Sequence, residues 1–575
     1  MSDSKFRKLV LSAIALLGIL LYSGTLKNSQ FLFDGEMFLK NNPLFKDLAY
    51  YVELLDVKAF STLDEQLGLH QDVTTNFMMR PVSYITFSIN YILFGFNAVA
   101  FRSVNILIHI FNSALVFLCI RLFLNVSTPS SRLSNFSLRF IPAVTSSVFL
   151  LHPMQTESVT YITQRFSSLG ALFYLSTIYI YLLWSDKKVQ GRMQGFLRLS
   201  SIVVLLFGMF TRESLFTAPF MILLIEMLIF ESSFAAGVRK VWPYLLMLPV
   251  IPVMTIIVSA AQTDSVATLS GAINSVNYNA VPVLHYALSQ LVVVLKYLSL
   301  YLFPYGQNVD PDPLLYTLPY QLPVVASAIT ILLLIGGAYF LYIRNRGDIR
   351  YRLILTGICW YFLGLAVSST FIPLPDLMAE HRAYFPSVGF LMALVSSLDL
   401  LRTGFCNERG TNILLWCTIV WCVLLSAATF NRNDVWHSRI KLWSDSVKKS
   451  PMKERPWYNL GASYLKKGIY HEALKCFKKV VEINPDSGKG YEMLAVSYLQ
   501  LSQYQDVIDA SIKGISVDPA NPVIYNNLGI AYARIDRAED AKQAFSTALA
   551  LLPGYERARL NLDKLESYIE SSVGR

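Results

Sequence analysis

The hydrophobic pattern divides the chain into two unequal parts. Up to about Thr429, apolar runs alternate with short polar loops, and from Asn431 onward the sequence is ordinary and charged. A run of about 18 or more residues with few charges is typical of a membrane-spanning helix. The candidate spans are 8–24, 101–124, 138–151, 168–184, 199–211, 214–230, 241–261, 322–343, 353–372, 384–401 and 412–429. The pattern therefore predicts an all-α, polytopic membrane bundle of about eleven helices over residues 1–430.

The loop charges predict which side of the membrane each loop faces. Lys and Arg in short loops favour the cytoplasmic side, and such loops lie around Arg192, Arg239 and Arg346. Successive loops then alternate between the two sides of the membrane if two further apolar stretches, Val82–Phe96 and Val283–Phe303, are interfacial helices on the outer side. If the second one crosses, alternation fails unless another span is lost. The segments predicted to face outward, on the same side as the C-terminal domain, are 25–100, 152–167, 262–321 and 373–383.

The charged C-terminal part repeats with a period of 34 residues. The period relates three sets of residues: Gly461, Ala495 and Gly529; Tyr464, Tyr498 and Tyr532; and Pro485, Pro519 and Pro553. A small residue lets two helices approach closely, aromatic residues fill the groove between them, and proline ends the second helix. The pattern predicts a tetratricopeptide (TPR) α-solenoid of three repeats and a capping helix over 456–575, after a linker with a degenerate half-repeat over 431–455.

A TPR array is typical of a surface that holds a protein or peptide. The candidate acceptor-binding residues in its groove are Tyr464, Tyr498, Asn526 and Tyr532. A packing or oligomerisation module is the alternative interpretation.

Composition and cysteine content exclude some functions. The chain is 54% hydrophobic with a formal net charge of +10. Much of that charge lies in short loops between spans, where it sets topology, so a nucleic-acid partner is not predicted. No pair of the six cysteines has metal-ligand spacing in a polar context, so neither a zinc site nor a disulfide framework is indicated.

The candidate chemistry lies in segments predicted to face outward. Asp34 and Glu36 follow the first span, and a carboxylate held at the membrane surface can serve as a general base. Further charged or imidazole side chains on this side are Arg80, His109, His152, Glu157, Arg165, Arg212, Glu213, Glu380 and Arg382. Each alone is also explained as a solvated or snorkelling residue, but charges near a bilayer are costly and tend to be functional. Together they predict a site for a phosphate leaving group and a hydroxyl acceptor.

The ordered series of motifs resembles the transmembrane-and-TPR O-mannosyltransferase family and its bacterial relatives, and more distantly the protein O-mannosyltransferases of the GT-C fold. The matching pieces are Phe33-Asp34, Asn41-Asn42-Pro43, Arg80-Pro81, Val104-Asn105, His109, His152-Pro153, Thr156-Glu157, Arg165, Arg212-Glu213, Ala379-Glu380 and Tyr384-Phe385-Pro386-Ser387-Val388-Gly389-Phe390, followed by the repeats. Asp34 matches the first acid of the family's pair, whereas the second acid is Gly35 here, with Glu36 one step on. The triplet Glu380-His381-Arg382 departs from the family's usual Glu-Arg pair.

The resemblance implies a GT-C type membrane bundle with an outward-facing active site and a polyprenyl-phosphate sugar as donor substrate. Asp34, with Glu36, would take the proton of an acceptor hydroxyl as it attacks the anomeric carbon, so the reaction would invert that centre. Arg80, Arg165, Arg212 and Arg382 would bind the donor phosphate, supported by His109, His152, Glu157, Glu213 and Glu380. The sugar would be mannose, the acceptor a protein Ser or Thr presented by the repeats, and neither a metal nor a further cofactor would be needed.

Two other classes of protein remain open on the sequence. An O-antigen polymerase or ligase also combines many spans with terminal TPR repeats, but it is expected to carry a large late outer loop, whereas the loop at Pro373–Ala383 is short. A membrane-anchored TPR scaffold would need only one span. The sequons at Asn125 and Asn135 fall in a loop placed inside, which favours a bacterial inner membrane with periplasmic repeats over the endoplasmic reticulum with luminal repeats.

Overall fold

The chain forms two compact units in the computed structural model. The first unit comprises Met1–Val309 and Pro313–Ser438, and the second comprises Asp310–Asp312 and Arg439–Arg575. The structure describes residues 2–28, 30–33, 35–54, 56, 63–69, 71–126, 133–185, 190–263, 281–370, 373–405 and 407–573. Every regular element within these ranges is helical.

The first unit is a bundle of long apolar helices joined by short turns. Its α-helices are α1 (Asp3–Tyr22), α2 (Ala49–Glu53), α3 (Leu63–Leu67), α4 (Gln71–Met79), α5 (Pro81–Phe94), α6 (Ala98–Val126), α7 (Asn135–Leu151), α8 (Thr156–Thr160), α9 (Arg165–Trp184), α10 (Arg192–Met209), α11 (Ala218–Leu228), α12 (Phe234–Leu245), α13 (Val250–Thr263), α14 (Val283–Leu302), α15 (Leu322–Arg344), α16 (Ile349–Ala366), α17 (Ser387–Phe405) and α18 (Glu408–Val435).

Ten helical segments of the described chain are long and apolar enough to cross a membrane. They are Asp3–Lys27, Ala98–Asn125, Ile162–Trp184, Arg192–Met209, Phe234–Ala261, Val283–Leu302, Leu322–Arg344, Ile349–Ala366, Ser387–Gly404 and Glu408–Val435. These ten segments make the chain a multi-pass membrane protein.

The membership of this set differs from the sequence prediction at three places. The predicted span 138–151 is the 17-residue helix α7, at the lower limit for a crossing. The predicted span 214–230 contains only the 11-residue helix α11, because Glu213–Thr217 form a 3-10 turn and Pro219 stands in the first turn of the helix. In the other direction, Val283–Leu302 reaches the length and hydropathy of a span.

Two tyrosine hydroxyls of α14 bond to one connection of the bundle. Tyr286, near its start, donates to the carbonyl of Ser368 at 2.6 Å, and Tyr301, near its end, donates to that of Ala383 at 3.0 Å. Both acceptors lie in the connection between α16 and α17. These bonds tie the connection to α14 along much of the length of the helix. The interfacial placement of α14 stays a prediction.

A close helix contact fixes the same connection from the other side. α16 and α17 meet at Gly357 and Gly389, where a Cβ on Gly357 would lie 2.4 Å from the Gly389 carbonyl oxygen. Small residues allow such approach in membrane helix pairs. The segment between the two helices, which begins at Val367 and ends at Pro386, is thus held by a tight helix pair.

The second unit is a stack of antiparallel helix pairs. Its helices are α19 (Arg439–Lys449), α20 (Glu454–Lys466), α21 (Tyr470–Ile483), α22 (Gly488–Gln500), α23 (Tyr504–Val517), α24 (Pro522–Arg534), α25 (Ala538–Leu551) and α26 (Glu556–Val573). A Cβ on Gly461 would lie 2.8 Å from the Phe477 ring, and one on Gly529 would lie 2.6 Å from the Phe545 ring. The small residue and the aromatic residue of each TPR repeat therefore meet as the period predicts.

The unit begins at Arg439, eight residues after the composition shift at Asn431, and its first helix, α19, lies at the position of the predicted half-repeat helix. The short segment Asp310–Asp312 belongs to it as well. The Asp310 carboxylate is fully buried and is held by Lys453 at 2.5 Å and by Arg455 at 2.6 Å.

Candidate active site

A cavity of about 550 Å³ lies in the membrane bundle where α4, the start of α9, the segment after α10, α13 and the α16–α17 connection meet. Its titratable lining side chains are Asp72, Arg80, Arg212, Glu213, Asp376, His381 and Arg382. Apolar side chains of α13, Ile251 and Val258, form another part of the wall. The cavity thus combines a charged part with an apolar part on a helix of the membrane bundle.

Arg80 and Glu213 form a bidentate ion pair in this wall. The Arg80 Nε and Nη2 atoms donate to the two Glu213 oxygens at 2.9 and 3.1 Å, and Nη1 donates to Asn76 at 2.8 Å. Arg80 precedes Pro81, and a residue before proline is disfavoured in the helical region, so α4 ends at Met79 and the arginine has a non-helical φ of −134°. Burial would raise the pKa of Glu213, but the Arg80 charge and hydrogen bonds outweigh it, and the pKa is lowered.

Arg212 lies beside this pair on extended backbone, with φ −160° and ψ 141°, between α10 and the turn Glu213–Thr217. Its Nη1 donates to Ser167. Burial, and then the charge of Arg80, lowers its pKa to about 10, so the side chain remains a cation at neutral pH. Arg212 is therefore a fixed positive charge in the cavity wall.

Arg382 supplies a second cation from the α16–α17 connection. It lines the cavity, and its Nη1 atom is buried with no hydrogen-bond partner in the described part of the chain. An unsatisfied buried donor is costly and calls for a ligand or water. Arg212 and Arg382 together form a site suited to an anion.

His381, which precedes Arg382 and also lines the cavity, has no role in the sequence prediction. Its Nδ1 lies 2.7 Å from Oε1 of Glu157, and its backbone N–H donates to Oε2 at 3.2 Å. Burial, and then the charges of Arg212 and Arg382, holds the pKa of His381 well below its usual range. Burial also raises the pKa of Glu157, against the opposing charge of Arg432. The only sequence signal for this pair was the extra histidine in Glu380-His381-Arg382.

Side chains of α14 hold the connection that carries His381 and Arg382. Tyr297 donates to the Ala379 carbonyl at 2.8 Å and accepts from the Ala379 N–H at 3.0 Å. Gln290 donates to the Leu377 carbonyl at 2.7 Å. Glu380 is buried next to these contacts and accepts from the Asn308 N–H at 2.6 Å. Glu380 thus fixes the backbone of the site and does not line the cavity.

Three other predicted residues lie outside the cavity lining and are used in packing. His109 bonds to Tyr384 at 2.8 Å and to the Leu150 carbonyl at 3.1 Å, and His152 bonds to the Tyr301 carbonyl at 3.0 Å. Arg165 is fully buried. Its three nitrogens donate to Asn105, Thr86 and Phe101 at 2.8, 3.0 and 2.9 Å. We therefore leave Arg165 out of the candidate phosphate site.

Of the two predicted acids in the first loop, the structure describes only Glu36. Asp34 lies outside the described residues, so its predicted role as base stays a prediction. Glu36 is half-buried in a π-helical turn, Glu36–Lys40, and Phe38 of the same turn lines the cavity. The first outer loop therefore contributes to the cavity wall.

The four predicted acceptor residues lie in the second unit. Tyr464, Tyr498 and Tyr532 are half-buried and pack against the core between the helices. Asn526 is only 4% exposed, and its side chain accepts from Asn561 of the capping helix at 2.9 Å. Much of their surface is thus taken by packing, and acceptor binding by these residues stays a prediction.

The fold and the cavity define a multi-pass membrane protein with an arginine-lined pocket in its helical bundle and a TPR solenoid. The curated proteins to which the chain is similar are protein O-mannosyl-transferases. One from Caenorhabditis elegans is 22% identical over 437 residues, covering 75% of this chain and 56% of its own. The human protein O-mannosyl-transferase TMTC3 is 21% identical over 411 residues, covering 66% and 42%. The chain thus spans about half the length of these relatives.

Further similarities concern shorter segments. The human protein O-mannosyl-transferase TMTC1 is 29% identical over 119 residues, covering 20% of this chain and 13% of its own. The family model of the tetratricopeptide repeat matches residues 455–487. Among solved structures, the first TPR of Spaghetti (RPAP3) bound to an HSP90 peptide is 22% identical, covers 20% of this chain and 94% of its own, and has a TM-score of 0.20. The helix pairs of the second unit themselves establish its solenoid fold.

Proposed function

We propose that the protein is an inverting membrane glycosyltransferase of GT-C type. In this proposal it transfers mannose from a polyprenyl-phosphate donor to a Ser or Thr hydroxyl of a protein on the outer face of a bacterial inner membrane. The observation that carries the proposal is the pair of cations, Arg212 and Arg382, in a cavity that also has an apolar wall on α13. A lipid phosphate needs both kinds of surface. The names of the curated relatives support the activity and the sugar.

The proposed transfer is a single displacement. The acceptor oxygen attacks the anomeric carbon, its proton passes to Asp34, and the bond from that carbon to the phosphate oxygen breaks with its electron pair left on the phosphate. Fixed cations stabilise the charge that develops on the departing group without reorganisation. Arg212 and Arg382 would do this, with the Arg212 side chain held by its bond to Ser167.

The TPR solenoid would bind the acceptor chain. The distribution of basic loops, from which an outward-facing site is predicted, supports an acceptor outside the cytoplasm. The membrane lipid would take the donor's polyprenyl tail along the apolar part of the wall.

The test is glycan mass spectrometry of envelope proteins from a deletion strain that carries wild-type or variant chains at matched expression. Asp34→Asn tests the base, with Asp47→Asn as control, because Asp47 is an exposed acid of the same loop. Arg212→Gln tests the phosphate site, with Arg239→Gln as control, because Arg239 is exposed. We expect a hexose-sized modification with the wild type and both controls and its loss with Asp34→Asn and Arg212→Gln.

Other outcomes would redirect the assignment. Full modification with both Asp34→Asn and Arg212→Gln would contradict the proposed site. An altered lipid-linked glycan with unchanged proteins would favour a polymerase or ligase. No change of any glycan on deletion would favour a membrane-anchored scaffold.

A further inference from the structure

The pair formed by Glu157 and His381 is placed to act on a group bound in the cavity. The imidazole forms part of the cavity wall, whereas the carboxyl behind it is only 3% exposed. Nδ1 is engaged by Glu157 at 2.7 Å, and no described residue bonds to Nε2. The free ring nitrogen therefore belongs to the part of His381 that a ligand can meet.

The surrounding charges decide which form the pair takes. His381 faces the cations Arg80, Arg212 and Arg382, with Asp376 as the opposing acid, and Glu157 also faces Arg432. Burial and the arginines lower the pKa of His381, and burial raises the pKa of Glu157. These directions favour the form of the pair with the proton on the carboxyl, in which Oε1–H donates to Nδ1 and the other ring nitrogen, Nε2, carries a hydrogen.

We propose that Glu157 and His381 form a proton relay that protonates the phosphate as it leaves the sugar. This inference rests on the proposed function. It assigns a catalytic role to His381, which would touch the leaving group, and a proton reservoir to Glu157 behind it.

The relay balances in atoms and charge. When the bond between the anomeric carbon and the phosphate oxygen breaks, the diester monoanion becomes a monoester dianion. The Nε2 proton of His381 passes to a phosphate oxygen while the Oε1 proton of Glu157 passes to Nδ1. The products are a polyprenyl hydrogen phosphate monoanion, a neutral imidazole and a Glu157 carboxylate beside Arg432. Solvent returns the proton to Glu157 after release.

Two substitutions separate this chemistry from packing. His381→Asn removes the group that delivers the proton. Glu157→Gln keeps a hydrogen-bond donor to Nδ1 at nearly the same volume but has no proton to give. His471→Asn is the matched control, because His471 is exposed on α21 in the second unit.

The experiment measures mannose transfer by the full-length chain in detergent, with membranes of the deletion strain as the source of acceptor. The two donors are polyprenyl-phosphate mannose and its non-bridging phosphorothioate, whose leaving group is the weaker base and needs less protonation. With the phosphate donor, we expect both variants to lose about 100-fold in kcat, as for loss of a general acid, with KM unchanged within about threefold. With the phosphorothioate, the loss should be about tenfold or less.

The pH profile gives a second measurement. The wild-type kcat should fall as the pH rises through the pKa of the pair, and this fall should be missing in Glu157→Gln. Equal losses on both donors would show that the pair only supports the fold and would overturn the relay. Variants as active as His471→Asn would overturn it too, with the glycosyltransferase assignment intact. No transfer by the wild type would overturn the proposed function and the relay with it.

Discussion

Replacement of Tyr297 by Phe is the sharpest test of how the bundle holds its candidate site. The Tyr297 hydroxyl both donates to and accepts from Ala379, the residue immediately before Glu380-His381-Arg382. Phe keeps the ring, which is fully buried, and removes only the hydroxyl. The substitution should therefore loosen the α16–α17 connection without opening the apolar core.

The magnitude follows from which backbone groups lose their partners. The Ala379 carbonyl still accepts from the Arg382 N–H at 3.1 Å, so this carbonyl loses only one of its two hydrogen bonds. The Ala379 N–H loses the tyrosine oxygen and is left buried, which costs about 1–3 kcal/mol, and the second lost bond adds about 1 kcal/mol. A local destabilisation of about 2–4 kcal/mol raises the open fraction of the connection by about 30- to 1,000-fold.

Hydrogen exchange of the full-length chain in detergent, followed over residues 373–386, measures this opening directly. Tyr297→Phe should exchange much faster there than the wild type. Tyr301→Phe should have a smaller effect, because the Tyr301 hydroxyl donates to the Ala383 carbonyl, whereas the Tyr297 hydroxyl also accepts from a backbone N–H of the connection. Tyr339→Phe is the control, because Tyr339 is 52% exposed on α15. If Tyr297→Phe exchanges no faster than Tyr339→Phe, the hydroxyl does not hold the connection and the reasoning is refuted.

Three further predictions concern other parts of the chain. Burial opposes the charge of Asp310, but the hydrogen bonds and charges of Arg455 and Lys453 outweigh it and lower its pKa. The stability that Asp310 contributes is therefore present above its unfolded pKa and is lost as the pH falls through the lower folded pKa. Asp310→Asn should remove this acid-sensitive part of the unfolding free energy. An unchanged pH dependence of the unfolding free energy in Asp310→Asn would contradict the assigned role of Asp310. Gly529→Ala should destabilise the second unit by about 1 kcal/mol, because overlap with the Phe545 ring exceeds the gain in helix propensity, and Phe545→Leu in the same chain should reverse the sign of the shift in thermal melting. Arg165→Lys should lower the yield of folded protein, because one ammonium cannot reach Asn105, Thr86 and Phe101 together; normal folding with lost mannose transfer would instead return Arg165 to the phosphate site.

The sequence predicts a helix where the residues of that helix, or of one helix pair, themselves form the repeating pattern. The 34-residue period specifies contacts within one helix pair, and the Gly461–Phe477 and Gly529–Phe545 contacts occur where the period places them. Hydropathy does not predict the spans correctly where the length of a helix and its neighbours determine whether it crosses the membrane. The predicted span 214–230 joined most of the turn Glu213–Thr217 to α11, because hydropathy does not distinguish a 3-10 turn from an α-helix. Hydropathy could not place α14 either, since 20 apolar residues fit both a crossing and a surface helix.

The same limit explains which candidate site residues the sequence could identify. Arg165 and Arg212 look alike in the sequence, since each is a lone cation at the predicted outer end of an apolar run. The structure separates them by what lies within reach: carbonyl and amide oxygens of other helices take the donors of Arg165, whereas Arg212 borders the cavity. Arg80 was better signalled, because the following proline ends the helix at Met79. His381 shows the opposite case, since its partner Glu157 is 224 residues away. A pairing of that kind leaves no local pattern, and its function follows only once the cavity wall has been assembled.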